Sequence, residues 1–158
     1  METRPLGRNG PAVPVVAICP GSEAVAARVR ALGGLTELPG PHGAVRYNLL
    51  DQKDANPEIA RLAREGKGVV AVHVLAGGAF GKSALEPRHL PFRALAREGR
   101  TLVQAAIQFV LANESVSCAR IRVTRPEQVE EVLLAPEAPP LTGQDLELIF
   151  ELWANRFG

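Results

Sequence analysis

The residues of this chain whose types and spacing could do chemistry gather first in Val69–Ser83, VVAVHVLAGGAFGKS. The β-branched run Val69–Val74 reads as a strand buried on both faces, as in a parallel sheet. It stops at Leu75–Ala76–Gly77–Gly78, where two glycines let the backbone turn sharply and come close to a ligand. Loops at the C-terminal ends of parallel strands are where ligands bind in α/β folds, so this loop could receive a phosphate on its backbone N–H groups. An ordinary strand-to-loop turn would look the same. Gly81–Lys82–Ser83 has the tail of a phosphate-binding P-loop, but Ala76 stands where that motif needs its first glycine. His73, at the strand end, could face a cleft as a general base; equally, it could be a hydrogen-bonded packing residue. His42 and His89 fall in loops without metal-ligand neighbours, and no His/Cys/Asp/Glu set has metal spacing.

The elements that must position this loop follow from periodicity. Arg8–Asn9–Gly10 is a tight-turn signal between Thr3–Leu6 and Val13–Ile18, predicting an N-terminal hairpin that leads into a first buried strand. Ser22–Gly33 reads as a helix capped by Ser22 and stopped by Gly33–Gly34. Thr36–Gly43 is a loop, and Ala44–Leu50 a second short strand. Pro57–Gly66 is an amphipathic helix that completes a strand–helix–strand crossover into Val69–Val74. Beyond the Gly-rich loop, Glu86–Pro91 reads as irregular, and Phe92–Gly99 and Thr101–Ala112 as helical. Ser117–Val123 is a fourth strand, followed by a helix over Arg125–Leu134 with Pro126 in its first turn. A last amphipathic helix, Gln144–Phe157, carries Phe150, Trp153 and Phe157.

The totals narrow the class. A 158-residue chain, 46% hydrophobic, has single-domain size and enough apolar material for one core, so residues 1–158 form one domain. A net charge of +1 argues against a dedicated nucleic-acid binder. No apolar run approaches a membrane span, and METRPLGRNG lacks the apolar stretch of a signal peptide, so the expected location is cytoplasmic. Arginine far outnumbers lysine, a bias that fits a high-GC bacterial source. Cys19 and Cys118 have no CxxC spacing and read as buried free thiols.

Several short motifs, in order, resemble the aldo-keto reductases, which are NADP-dependent oxidoreductases with a (β/α)8 barrel. Arg4, Leu6–Gly10 and Val13 resemble that family's opening hairpin. Val45–Gln52, VRYNLLDQ, is similar to its sixth-strand segment. Val74–Lys82, VLAGGAFGK, is similar to its seventh strand and loop, with Val74 in place of the usual proline. IQFVLAN and PEQVEE, at Ile107–Asn113 and Pro126–Glu131, resemble the helix and the cofactor segment that follow. The resemblance implies an α/β domain that is a truncated, half TIM barrel with about four parallel strands and an N-terminal hairpin. A complete barrel of that type has eight strands in about 250 residues.

The same resemblance implies what is absent. The family's tyrosine, lysine, aspartate and histidine come from central strands for which this chain has no counterpart, and Tyr47, its only tyrosine, belongs to the YNLL motif. The family glutamine facing the nicotinamide aligns with Ala44. On the adenosine side, Gln128 and Glu131 match, Val132 replaces an asparagine, and Ile121–Arg122–Val123 replaces proline–glycine–alanine. By resemblance, then, Leu75, Gly77, Gly78, Arg122, Gln128 and Glu131 are the cofactor-binding candidates, with NADP the implied cofactor and no metal. Arg122 could clamp a phosphate; alternatively Arg120, Arg122 and Arg125 form a solvated cluster at a helix entry. Two functions have sequence features in their favour, while a purely structural remnant has only the losses. One is a protein without carbonyl reductase activity that binds a nucleotide, another phosphorylated or acidic ligand, or a partner protein. The other is an enzyme of changed, non-redox chemistry, with His73 as acid–base residue in a site completed by oligomerisation. Four open parallel strands leave two unpaired edges, so a homodimer or larger oligomer is expected.

Overall fold

The computed structural model describes residues 1–82 and 84–156, Arg156 by its backbone alone. Ser83, the last residue of the GKS run, and Phe157 lie outside the described residues. β1 (Thr3–Pro5) and β2 (Ala12–Pro14) form the expected antiparallel hairpin. Its turn includes Gly7, whose φ of +85° is a left-handed geometry closed to most side chains. The stretch Val13–Ile18 is not one strand. Pro14 has no N–H to continue a ladder, the Val15 N–H turns back to Glu2 O at 3.1 Å, and β3 (Val16–Pro20) begins afresh.

Four strands make the parallel sheet: β3, β4 (His42–Arg46), β5 (Gly68–Val72) and β6 (Cys118–Val123), in the order β3-β6-β5-β4. The first strand lies beside the last and the others descend from it, which is the order of a closed parallel barrel interrupted between β3 and β4. Helices α1 (Glu23–Ala31), α2 (Ala55–Arg64), α3 (Leu102–Leu111) and α4 (Val129–Leu133) follow the strands. Their apolar faces and the outward strand residues Val16, Ile18, Val45, Val69, Ala71, Ala119 and Ile121 build the main core. Local signals set the helix starts. The Ser22 hydroxyl accepts from Val25 N–H at 3.3 Å, and Thr101 forms a capping box with Gln104.

Two strands are shorter at their C-terminal ends than the sequence suggests. β4 starts at His42 and ends at Arg46, because Asn48 folds Tyr47–Asp51 into a tight turn: its Oδ1 accepts from Leu50 and Asp51 N–H at 2.8 and 2.9 Å. β5 ends at Val72, since His73 takes a left-handed φ of 55° and its carbonyl accepts from Asn48 Nδ2 at 2.9 Å. The segment expected to be irregular and then helical is instead a 3-10 helix over Pro87–Leu95. α2 begins at Ala55 rather than Pro57.

The part of the inner face around Ala17, Val70 and Cys118 is covered from within the chain. Leu6 and Val13 of the hairpin pack with Ala17, Val70 and Cys118, and Leu35, Leu38 and Val72 add to them. Leu35 also bridges to Ala17 in parallel, its carbonyl accepting the Ile18 N–H at 2.9 Å, so the outer edge of β3 is partly occupied. Arg4 ties the hairpin to the end of α3, donating to Leu111 O at 2.8 Å and Val116 O at 2.9 Å. The last helix, α5 (Gly143–Arg156), is fastened by Asp145, which is paired with Arg97 and with Arg100.

Candidate functional site

At the C-terminal ends of β3, β5 and β6 the surface opens into a groove of about 1490 Å³. One wall is the loop after β5. Ala76, Gly77 and Gly78 have φ of 53°, 67° and 90°, three left-handed residues in succession. A Cβ on either glycine would meet nothing within 4 Å, so the glycines serve the backbone path and leave its surface open. The Gly78 N–H returns to Leu75 O at 3.1 Å, whereas the Leu75 and Gly77 N–H groups have no acceptor among the described residues. Such free donors on a left-handed backbone form a concavity suited to an anion.

The end of β6 and the segment after it line the same groove. Arg122 is exposed at the top of the strand, opposite Cys19 of β3. Gln128 Oε1 accepts from Arg125 N–H at 3.3 Å, which leaves its amide N–H groups for a ligand. The Glu131 carboxylate accepts from the Thr101 hydroxyl at 2.8 Å, and its carbonyl from Gln104 Nε2 at 3.0 Å. Arg125 sits 3.7 Å from Glu127, a solvated pair of little energetic weight. Leu75, Gly77, Gly78, Arg122, Gln128 and Glu131 all line this one groove.

The three arginines do not form one helix-entry cluster. Arg122 and Arg125 are exposed, but Arg120 is half-buried on the inner face of the sheet, two residues below Arg122. Alternation along β6 puts Arg120 and Arg122 on one face, with Ala119, Ile121 and Val123 on the other; depth along the strand, which alternation does not give, separates the two arginines. His73 lines the groove as an exposed residue, and its ring makes no hydrogen bond among the described residues. Of the two thiols, Cys118 is buried and burial pushes it up to about 12, while Cys19 is only partly buried and faces the groove. Tyr47 is elsewhere, buried with its ring 5.3 Å from that of Phe109. Burial raises its hydroxyl above the ordinary range, against a hydrogen bond with the Asn113 side chain. Ala44 lies on β4, outside the groove lining. Among the described residues no three His, Cys, Asp or Glu side chains are placed to hold a metal ion, and no helix is long and apolar enough to cross a membrane.

A parallel sheet in barrel order, with its ligand-sized opening at the C-terminal strand ends, defines part of a (β/α)8 fold. Solved structures share this fold. An aldo-keto reductase from Bacillus halodurans, in its holo form, superposes with a TM-score of 0.57 at 22% identity, over 69% of this chain and 41% of its own. The apo form of the same enzyme gives 0.57 and 22%, over 69% and 42%. A thermostable aldo-keto reductase in complex with the inhibitor epalrestat gives 0.56 at 22% identity, over 74% and 41%. The chain therefore has the fold of part of an aldo-keto reductase barrel and spans about 41% of the length of those proteins. No protein-family model and no curated protein matches the sequence.

Proposed function

We propose that this groove binds a phosphorylated nucleotide, with NADP(H) or its adenosine end the ligand of best fit, and that the protein does not reduce carbonyl compounds. The observation that carries this reading is that one groove is lined both by the Gly77–Gly78 backbone and by Arg122, whose guanidinium has no ion-pair partner among the described residues. A phosphate between them would receive backbone N–H groups from one side and a bidentate clamp from the other. Gln128 and Glu131 stand next to that position with polar groups suited to a ribose or adenine edge. The fit ends there. Ala44 lies outside the groove and offers no side-chain hydrogen bond to a nicotinamide amide. When bound, NADP(H) would supply hydride chemistry, but the described groove lining holds no tyrosine to give the accompanying proton. Tyr47 is packed on Phe109 away from the groove, and the ring of His73 has no orienting partner among the described residues.

Calorimetric titration with NADP⁺ tests the binding. Saturable binding to the wild type, abolished in the double variant Arg122→Ala/Glu131→Ala, is expected; unchanged affinity in that variant overturns the assignment. Turnover of a broad aldehyde and ketone panel with NADPH at about 1 s⁻¹ or more would overturn the non-reducing reading.

A further inference from the structure

The interior of a parallel barrel is ordinarily filled by layers of branched apolar side chains. β6 begins in that manner, with Cys118 in the inner apolar cluster. Two residues on, it places Arg120 on the same face. Arg120 stands opposite Ala17 of β3, and the β5–β6 register continued past Ala71↔Ala119 brings Val72 to its other side. Its Nε is buried and has no hydrogen-bond partner among the described residues. The guanidinium forms no ion pair among them either, and the two acids that line the groove are engaged at the rim: Glu131 with the Thr101 hydroxyl, Glu127 beside Arg125. A guanidinium is always charged, so a buried N–H of it without an acceptor is a standing cost in the unliganded protein.

We propose that Arg120 anchors a second ligand site, inside the groove and below the nucleotide rim, for the carboxylate of a small acid with a short apolar body. Its chemistry differs from that of the rim. At this depth the Arg120 Nε–H is a buried donor without an acceptor among the described residues, whereas β3 and β6 beside it are joined in their ladder. The walls beside it are Val72 and Cys19. A phosphate dianion needs several donors, which only the rim supplies. A carboxylate needs two, and the planar fork of arginine presents two in parallel. Val72 and Cys19 then give the body of the acid an apolar seat. The site does not depend on nucleotide binding at Arg122.

The test follows the Arg120 Nε–H signal in ¹⁵N-labelled wild-type protein, assigned through bonds, during titration with hexanoate, the neutral hexanamide and inorganic phosphate. Hexanoate is expected to shift that signal saturably and to bind about tenfold or more tighter than hexanamide, the worth of a charge-assisted hydrogen-bond pair. Phosphate is expected to leave it in place. Arg120→Lys, which keeps the charge but not the fork, should weaken hexanoate binding by a similar factor. No saturable shift with hexanoate, equal shifts with hexanamide, or a stronger response to phosphate would each overturn the proposal. The wild-type titrations decide it even if the variant does not fold.

Discussion

Replacing Asp145 by alanine should destabilise the fold by about 3 kcal/mol, the lower end of what breaking a buried ion pair costs. Arg100 and Asp145 are each 1% exposed, with Arg100 Nη2 donating to Asp145 Oδ2 at 3.1 Å. The guanidinium also donates to Leu95 O at 3.0 and 2.8 Å, to Pro139 O at 3.0 Å and to Pro140 O at 2.8 Å. Those carbonyls would remain in the variant, which is why the lower end applies. The carboxylate also fixes the start of α5, because its Oδ2 accepts the Thr142 N–H at 2.9 Å. With a urea slope of about 2 kcal/mol/M, the unfolding midpoint should fall by about 1.5 M. Asp145→Asn keeps an acceptor for Arg100 and Thr142 and should lose less. A midpoint change below about 0.5 M in the alanine variant would refute the reasoning, since the pair would then hold no more than an exposed one. The pH dependence has a definite sign. Burial alone would raise the Asp145 carboxyl; the hydrogen bonds from Thr142 and Arg100 and the charge of Arg100 outweigh it and hold the group below its ordinary value. Its contribution is therefore present above the unfolded value, about pH 4, and is lost as pH falls through the folded one. The alanine variant should show a flatter stability profile in that acid range.

Thiol titration with an aromatic disulfide should find one reactive cysteine in the native protein, Cys19, and two in urea, because burial holds the Cys118 thiol up to about 12. Two fast thiols in the native state would mean the inner face opens. Light scattering should give a homodimer, a mass near twice 16.9 kDa, because β4 is paired only with β5 among the described residues and its other edge is free. A mass near one chain would show that Leu35 on one edge and local charges on the other suffice. Gly77→Ala should cost about 1 kcal/mol from its left-handed φ of 67° with no steric clash, read by thermal unfolding; a loss of several kcal/mol would mean the loop is packed rather than open.

Much of the architecture was legible because local chemistry and tertiary packing agree. Ser22 and Gly33 bracket α1 as their cap preferences dictate, and the β-branched run at Val69 sits at the centre of the sheet. The strand ends were not legible from hydrophobicity. Tyr47, Leu49 and Val74 are as buried as strand residues, yet they lie in turns set by the Asn48 side chain and by His73. Nor did periodicity reveal Pro87–Leu95, whose 3-10 geometry accommodates Pro91 within an otherwise apolar segment. The loop and the PEQ segment could be named as a site because each motif is continuous in sequence. Arg120 could not, because its significance depends on Ala17 and Val72 standing on either side, a fact of strand order.

Whether the Gly77–Gly78 loop and Arg122 act together as one phosphate-binding groove is tested most directly by nuclear magnetic resonance. Backbone amide shifts are mapped in ¹⁵N-labelled protein titrated with adenosine 2′,5′-bisphosphate. Saturable shifts confined to Leu75–Gly78, Arg122 and Gln128–Glu131, lost in Arg122→Ala while the rest of the spectrum stays unchanged, are the predicted result. Shifts centred on another surface, or none at millimolar ligand, would contradict it.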